Sequence, residues 1–168
     1  MGELLTAVCS KQPGTYALLL TLEEGAYLQI GRLGTFDFPA GRYVYVGSAL
    51  GSGGLRARLL RHCRTEKRLH WHIDYLLRRT TICRAWCVES PRRLECTWAR
   101  WLQGRPEVWV PVPRFGASDC RCRSHLFALA SPCAYEQLME GMQGSDSAQV
   151  RASVLDRCGN LLLCRDSH

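Results

Sequence analysis

Short apolar runs and alternating stretches dominate the first third of the chain. The run Gly14–Leu22 is too short for a buried helix and follows a Pro-Gly pair, which predicts a strand. Residues 26–30 alternate and are predicted to pair with this strand as a hairpin. Thr35–Phe38 alternates weakly, and the aromatic and β-branched residues 42–47 are typical of another strand. This part of the chain is therefore predicted to form a β-sheet.

Helical spacing of apolar residues appears in the middle of the chain. A glycine-rich loop at residues 51–54 precedes leucines at 55 and 59, one helical turn apart. Pro91 and Gly104 are typical of the start and the end of another helix. The predicted elements are helices at 55–64, 69–79, 91–102 and 134–142 and strands at 80–89, 108–112 and 126–129. Prolines at 111 and 113 confine the strand at 108–112 to a sheet edge.

These elements predict a small α+β domain with a mainly antiparallel central sheet flanked by helices. We expect the domain to cover residues 13–130, with an N-terminal extension at 1–12 and a C-terminal extension of unknown role at 131–168. The apolar residues 154–164 are predicted to stand apart from the domain.

Charge is concentrated in the middle of the chain. The 168 residues carry 22 Lys and Arg against 15 Asp and Glu, a formal net charge of +7. Eight of the positive residues lie within 53–79, and 20 of the 22 are arginines, whose planar guanidinium suits phosphate contacts. A basic stretch between acidic flanks favours a polyanionic partner, most simply nucleic acid. The residues expected to contact it are Arg56, Arg61, Arg64, Lys67 and Arg68.

Neither a membrane nor an oxidising compartment is indicated. No apolar run approaches the roughly 18–20 residues of a membrane span. Ten cysteines are read as reduced thiols, because no secretory signal is visible and the chain is long enough to build a core without disulfides. The expected location is intracellular, in the cytoplasm or the nucleus, and not secreted.

Residues of the types that phosphodiester hydrolysis requires occur on separate predicted elements. Tyr16 and Tyr45 lie on strands next to glycines, Arg58 and His62 are four residues apart on one helix, and Glu95 lies early on a later helix. A carboxylate can hold Mg²⁺, and a fixed arginine can neutralise charge on phosphate oxygens. A tyrosine near an arginine and a metal can have a lowered pKa and help to activate water.

The order and spacing of these residues resemble the GIY-YIG nuclease superfamily, most closely a small single-domain branch called Uri-type. Residues 14–16 (GTY) resemble its first motif, residues 45–49 (YVGSA) its second, and residues 55–62 the helix with the catalytic arginine. Residues 69–76 (LHWHIDYL) and 115–127 (FGASDCRCRSHLF) resemble stretches shared by that branch, so the resemblance covers about residues 13–129.

The resemblance implies a role for each matching residue. Tyr16 would orient or deprotonate the attacking water, and Tyr45 would hydrogen-bond around the phosphate. Arg58 would stabilise the transition state with help from His62, and Glu95 would hold one Mg²⁺ or Mn²⁺ ion.

The chain also departs from the pattern of that superfamily. Thr15 replaces the usual isoleucine, a change expected to affect packing more than chemistry. Many members have an asparagine after the glutamate, and Asp119 is our candidate for that role. His72, with Asp74 as an orienting neighbour, is a second supporting candidate, although a structural histidine is an equal alternative.

Thiols and a histidine also cluster in the sequence. Cys120, Cys122 and His125 have the ligand types of a zinc site but lack the paired Cys-x-x-Cys spacing. Buried thiols that pack as small hydrophobes, with His125 hydrogen-bonded in the core, are the favoured interpretation. Structural zinc at these residues is the less favoured one.

The sequence therefore predicts a metal-dependent endonuclease that cleaves nucleic acid, with DNA favoured over RNA, in repair or processing. The alternative is a catalytically inactive nucleic-acid-binding module of the same fold, which would need the arginines but not Glu95. A zinc-stabilised interaction domain is a third hypothesis. Under each of these three hypotheses, a separate protein partner could direct the chain to its target. The sequence does not predict the oligomeric state.

Overall fold

The structure is a computed structural model that describes residues 10–144, 153–155 and 161–163. Its strands are β1 (Gly14–Leu22), β2 (Ala26–Gln29), β3 (Thr35–Phe38), β4 (Gly41–Ala49), β5 (Thr81–Glu89), β6 (Val108–Trp109), β7 (Leu126–Leu129), β8 (Ser153–Leu155) and β9 (Leu161–Leu163). Its helices are α1 (Gly54–Cys63), α2 (His72–Leu76), α3 (Glu95–Gln103) and α4 (Ala134–Gly144). Most of the predicted extension at 1–12 and of the C-terminal extension beyond residue 144 lies outside the described residues.

Seven strands form one antiparallel sheet in the order β6-β7-β4-β1-β5-β8-β9. Strand β1 lies at its centre and is paired along its whole length with β4. Its other edge pairs with β5, with one irregularity between Leu19 and Leu20. The functional tyrosines predicted from the sequence therefore lie on the two most deeply embedded strands.

The side chains of the sheet divide between two hydrophobic clusters, one on each face. Along β1, Tyr16 and Leu18 enter the first cluster, whereas Ala17 and Leu19 enter the second. Helices α1 and α2 cover the first face with residues such as Leu59, and helices α3 and α4 cover the second. The predicted α+β class with a mainly antiparallel sheet between helices is confirmed.

Three local predictions were wrong. Strand β2 pairs with β3 in a separate two-stranded sheet and not with β1, because both edges of β1 are already taken by β4 and β5. Helix α2 covers only five of the eleven residues predicted, and it begins at His72 because the carboxylate of Asp74 accepts the N–H groups of His70 and Trp71 and caps the helix there. Helix α3 begins at Glu95 and not at Pro91, which lies in a bend.

The hydrophobic core continues past residue 130. Tyr135, Leu138 and Met142 of α4 are buried in the second cluster, where Tyr135 reaches the backbone of β1. Strands β8 and β9 extend the sheet beyond β5, so these parts of the apolar stretch at 154–164 are paired and not isolated. None of the helices in the described part of the chain is both long and apolar enough to cross a bilayer.

Candidate functional site

The pairing of β1 with β4 brings the two predicted tyrosines together. Tyr16 lies opposite Gly47 and Tyr45 lies opposite Leu18, so the tyrosines are diagonal neighbours across the strand pair. Their side chains share one face of the sheet because strand side chains alternate with a period of two. The ring centroids are 6.4 Å apart.

Gly47 leaves the space that the Tyr16 ring occupies. A Cβ atom built on Gly47 would lie 2.4 Å from the phenol oxygen of Tyr16 and 2.5 Å from Cζ. These distances are far shorter than van der Waals contact, so a side chain at position 47 would displace the ring. Gly47, which lies in the motif of Tyr45, thus makes room for the ring of Tyr16.

Tyr16 and His62 form a buried hydrogen-bonded pair. The phenol oxygen lies 2.7 Å from Nε2 of His62, and both residues are almost fully buried. Burial, assisted by the charge of Lys67, lowers the pKa of His62 to about 3, so its imidazole is neutral at physiological pH. Burial also holds the pKa of Tyr16 well above 10 and outweighs the opposing effect of Arg58. Without a metal ion, Tyr16 is therefore protonated at neutral pH, and the lowered tyrosine pKa expected beside an arginine and a metal stays a prediction.

Arg58 is held by an aromatic ring and not by a carboxylate. Its guanidinium lies over Trp71, 4.2 Å from the ring centroid. The guanidinium of Arg61 lies over the same ring at 4.0 Å. Among the described residues, Arg58 makes no ion pair, whereas Arg61 donates two hydrogen bonds to Asp74, each 2.9 Å long.

Asp74 is fully buried and is the centre of this basic region. Besides Arg61, it accepts the backbone N–H groups of His70 and Trp71, each at 2.9 Å. Although burial acts to raise it, these hydrogen bonds bring the pKa of Asp74 down to about 2. The carboxylate therefore fixes both Arg61 and the loop that carries Trp71.

The five predicted nucleic-acid contacts are placed differently from one another. Arg61 is turned inward by Asp74, and Lys67 donates to the carbonyl of His62 at 2.7 Å, so neither points freely to water. Arg56 is half-buried, whereas Arg64 and Arg68 are exposed. Arg64 and Lys67 line a depression of about 690 Å³ on the His62 side of the helix.

Glu95 is linked to Asp119 through one guanidinium. Nε of Arg93 donates to Oε1 of Glu95, and Nη2 of Arg93 donates to Oδ2 of Asp119 at 2.7 Å. Glu95 is 5 % exposed, whereas Asp119 is exposed. The guanidinium of Arg93 lowers the pKa of Asp119. The structure thus brings the predicted metal ligand and its predicted supporting residue to one place.

Thr15 fixes the start of the helix that carries Glu95. Its hydroxyl oxygen is fully buried and accepts the backbone N–H of Leu94, the residue before Glu95, at 3.2 Å. Thr15 therefore makes a polar contact between β1 and α3, whereas the sequence led us to expect mainly an effect on packing.

A groove of about 460 Å³ collects five of the seven predicted catalytic and supporting residues, and none of the five predicted nucleic-acid contacts lines it. It is lined by Tyr45, Gly47, Ser48, Leu50, Gly51, Arg58, His70, Trp71, His72, Arg93, Glu95, Gly116, Ser118 and Asp119. Tyr16 and His62 do not line this groove but lie beneath Tyr45, in ring contact with it. Arg58 and Glu95, 37 residues apart in sequence, therefore border a single space.

His72 faces this groove with a defined tautomer. Its Nδ1 accepts the backbone N–H of Gly116 at 2.9 Å, and burial lowers its pKa. A neutral imidazole that accepts at Nδ1 carries its proton on Nε2. The second ring nitrogen is therefore a hydrogen-bond donor.

Four residues behind the groove form a cluster that could hold a metal ion. The ligand atoms of Cys96, Cys120, Cys122 and His125 all lie within 4.8 Å of one another. Burial, together with the neighbouring thiols, raises the pKa of Cys96 to about 12, so without a metal that thiol is protonated. The sequence predicted three of these residues as a set but missed Cys96, 24 positions earlier on α3.

A family model matches residues 15–145, and its description is a domain of unknown function, DUF123. No curated protein and no solved structure matches the chain. The assignment to the GIY-YIG superfamily was therefore wrong, because the model that matches is DUF123 and none of that superfamily does. Short motifs such as residues 14–16 follow from a tyrosine packed against a glycine on paired strands and do not by themselves identify a family.

Sequence reasoning also missed two contacts in the groove and a third beneath the helix that carries Glu95. Trp71 supports Arg58, Arg93 joins the two carboxylates, and Thr15 anchors α3. Only Thr15 carried a usable signal, since a hydroxyl on a strand buried on both faces needs a hydrogen-bond partner.

Proposed function

We propose that this chain, which belongs to the DUF123 family, is an endonuclease that hydrolyses phosphodiester bonds of nucleic acid with Mg²⁺ or Mn²⁺. DNA is favoured over RNA as its substrate. The description of the family states no activity. The observation that carries the proposal is the groove in which Arg58, without a carboxylate partner among the described residues, borders the same space as Glu95 and Asp119. A cation and a carboxylate pair in one open groove match the charge distribution of phosphodiester hydrolysis.

Arg58 is the residue proposed to stabilise the transition state. Its guanidinium is held over Trp71 at 4.2 Å, which limits its freedom without neutralising its charge. A preorganised cation stabilises negative charge that develops on the non-bridging phosphate oxygens. Arg61, which is neutralised by Asp74, is proposed to support Trp71 and not to contact the phosphate.

Two neutral side chains are proposed to donate hydrogen bonds to the phosphate. Burial, reinforced by Glu95, raises the pKa of Tyr45, so its phenol keeps its proton and can donate into the groove. His72 lines the same groove and carries its proton on Nε2. Tyr16 and His62 are proposed as positioning residues, because they contact Tyr45 but do not line the groove.

Glu95 and Asp119 are the residues proposed to hold the divalent cation. Their carboxylates are hard oxygen donors, the type that Mg²⁺ and Mn²⁺ prefer, and a cationic group already joins them. Arg93 would have to release both carboxylates on metal binding. A divalent cation bound there would stabilise negative charge on the leaving oxygen. Zinc at the cysteine and histidine cluster is a separate proposal, because its ligands are mainly thiols.

The positive charge of the chain supports a polyanionic substrate. The net charge is +7, and Arg64 and Arg68 are exposed near α1 and α2. Phosphate contacts of this kind make binding weaken steeply with salt. The groove chemistry is the same for DNA and RNA, so both are included as substrates in the test.

A nucleic-acid-binding module without catalysis is the second candidate function. It is favoured by the Arg93 guanidinium, which already neutralises Glu95, and by the raised pKa values of Tyr16 and Tyr45, which make both phenols poor bases. Such a module would bind nucleic acid with the same salt dependence but would not cleave it.

The test is cleavage of plasmid, branched DNA and a matched RNA with Mg²⁺ or Mn²⁺. Wild type is compared with Glu95→Gln, with Arg58→Ala and with Arg79→Ala, an exposed arginine outside the groove, as the matched control. We expect cleavage to require the metal and to fall at least about a hundredfold in the first two variants, about 2.7 kcal/mol in the barrier.

Two results would contradict the endonuclease proposal. Equal cleavage by all four proteins would identify a contaminating nuclease. Salt-sensitive binding without cleavage by wild type would instead support the non-catalytic module. Circular dichroism of each variant shows whether a loss of cleavage reflects a loss of fold.

A further inference from the structure

We propose that Cys96, Cys120, Cys122 and His125 form a closed, four-ligand zinc site. The inference is independent of the proposed nuclease activity, because it concerns a different set of ligands, none of which lines the groove. Cys96 lies in the first turn of α3, Cys120 and Cys122 lie in the loop before β7, and His125 immediately precedes β7.

The donor atoms are already spaced for one metal ion. Sγ of Cys120 lies 3.5 Å from Nε2 of His125, and Sγ of Cys96 lies 4.0 Å from the same nitrogen. Tetrahedral zinc, with Zn–S of about 2.3 Å and Zn–N of about 2.0 Å, requires a sulfur-to-nitrogen distance of roughly 3.5 Å. Three thiols and one imidazole nitrogen therefore converge on a point that a single ion would fill.

The ligand types select zinc over the cation proposed for Glu95. Three thiolates and an imidazole are the donors of structural zinc sites, whereas Mg²⁺ takes oxygen ligands. His125 is 1 % exposed and Cys122 is 5 % exposed, with Cys96 and Cys120 half-buried. Four protein ligands would leave no position for a substrate, so the proposed role is structural and not catalytic.

The site would join two segments that carry the groove carboxylates. Cys96 directly follows Glu95, and Cys120 directly follows Asp119. An ion bound by both cysteines would fix the distance between the start of α3 and the loop before β7. Among the described residues, the direct side-chain link between Glu95 and Asp119 is the single guanidinium of Arg93.

The test begins with the metal content of the full chain purified under reducing conditions. We expect about one zinc per chain by mass spectrometric elemental analysis, and no release on mild dialysis. Replacement by Co²⁺ should give the ligand-field and thiolate charge-transfer absorption of a tetrahedral cobalt site with sulfur ligands. Both measurements use the wild-type chain, so they do not depend on the folding of a variant.

Variants then identify the ligands. Cys120→Ser and His125→Ala should lose most of the zinc, whereas Cys133→Ser, which changes an exposed cysteine outside the cluster, should keep it. Chelation of the metal should lower the melting temperature of wild type.

Three outcomes would overturn the proposal. They are reduced wild type that neither contains zinc nor takes up Co²⁺, zinc retained in both ligand variants, and a disulfide among these cysteines in the purified chain. Nuclease assays play no part in this test, so the zinc site and the proposed activity succeed or fail separately.

Discussion

Tyr16 and His62 are joined by a hydrogen bond of 2.7 Å that lies almost completely out of contact with water. The pair connects the central strand of the sheet with the last turn of α1, and Tyr45 packs against both rings. Because His62 must stay neutral in this environment, the pair makes the stability of the fold depend on pH.

We predict that the free energy of unfolding falls more steeply with decreasing pH because of His62. The unfolded chain takes up a proton on His62 below about pH 6.5, whereas the folded chain does so only near pH 3. Stability therefore falls as the pH decreases through this window, by up to about 1.4 kcal/mol per pH unit from this residue. In urea titrations, His62→Gln should show a shallower slope than wild type, and His70→Gln, at an exposed position, should not. Parallel curves for wild type and His62→Gln would contradict the assignment.

Asp74→Asn should lower stability at neutral pH by about 2–3 kcal/mol, because it breaks a buried ion pair with Arg61. The pKa of Asp74 is about 2 in the folded chain, below its value in the unfolded chain. Its contribution is therefore complete above about pH 4 and is lost as the pH falls toward 2. Chemical denaturation of both proteins across this range should show the difference shrinking. A difference that stays constant down to pH 2 would show that the charge of Asp74 is not its cause.

Much of the sheet could be predicted from residue patterns, whereas the contacts that build the groove could not. Apolar and β-branched runs predict strands β1 and β4. Because side chains alternate between the two faces of a strand, the pairing of β1 with β4 then places Tyr16 and Tyr45 on one face. Helix α2 begins later than predicted because the carboxylate of Asp74 accepts the N–H groups of His70 and Trp71 and so caps the helix at His72, a contact that apolar spacing does not reveal. Spacing rules for metal sites consider near neighbours, so they did not join Cys96 to cysteines on a distant loop.

Thr15→Val should destabilise the chain by about 1 kcal/mol, because the isosteric change leaves the buried N–H of Leu94 without its acceptor. Thr15→Ser keeps the hydroxyl and is the matched control, with a small loss from the missing methyl group. Urea unfolding measures the first effect, and amide exchange at Leu94 locates it. Equal exchange of Leu94 in wild type and Thr15→Val would indicate that the contact is not formed in solution.

Arg93→Ala should free the carboxylates of Glu95 and Asp119 to bind a divalent cation. Without the guanidinium, the buried carboxylate of Glu95 loses its partner, so the metal-free variant should be less stable than wild type by about 2 kcal/mol. Mg²⁺ or Mn²⁺ should then raise the melting temperature of the variant more than that of wild type. Arg79→Ala is again the control. A metal-independent melting temperature in both proteins would argue against a cation site at these carboxylates.

The space that Gly47 leaves for the ring of Tyr16 has a consequence for the history of this family. A methyl group at position 47 would force the phenol of Tyr16 out of its place, so position 47 is not free to gain a side chain while the ring remains. Aligned sequences should therefore show the dependence in one direction: wherever position 47 carries a side chain, the aromatic ring at position 16 should have given way to something smaller.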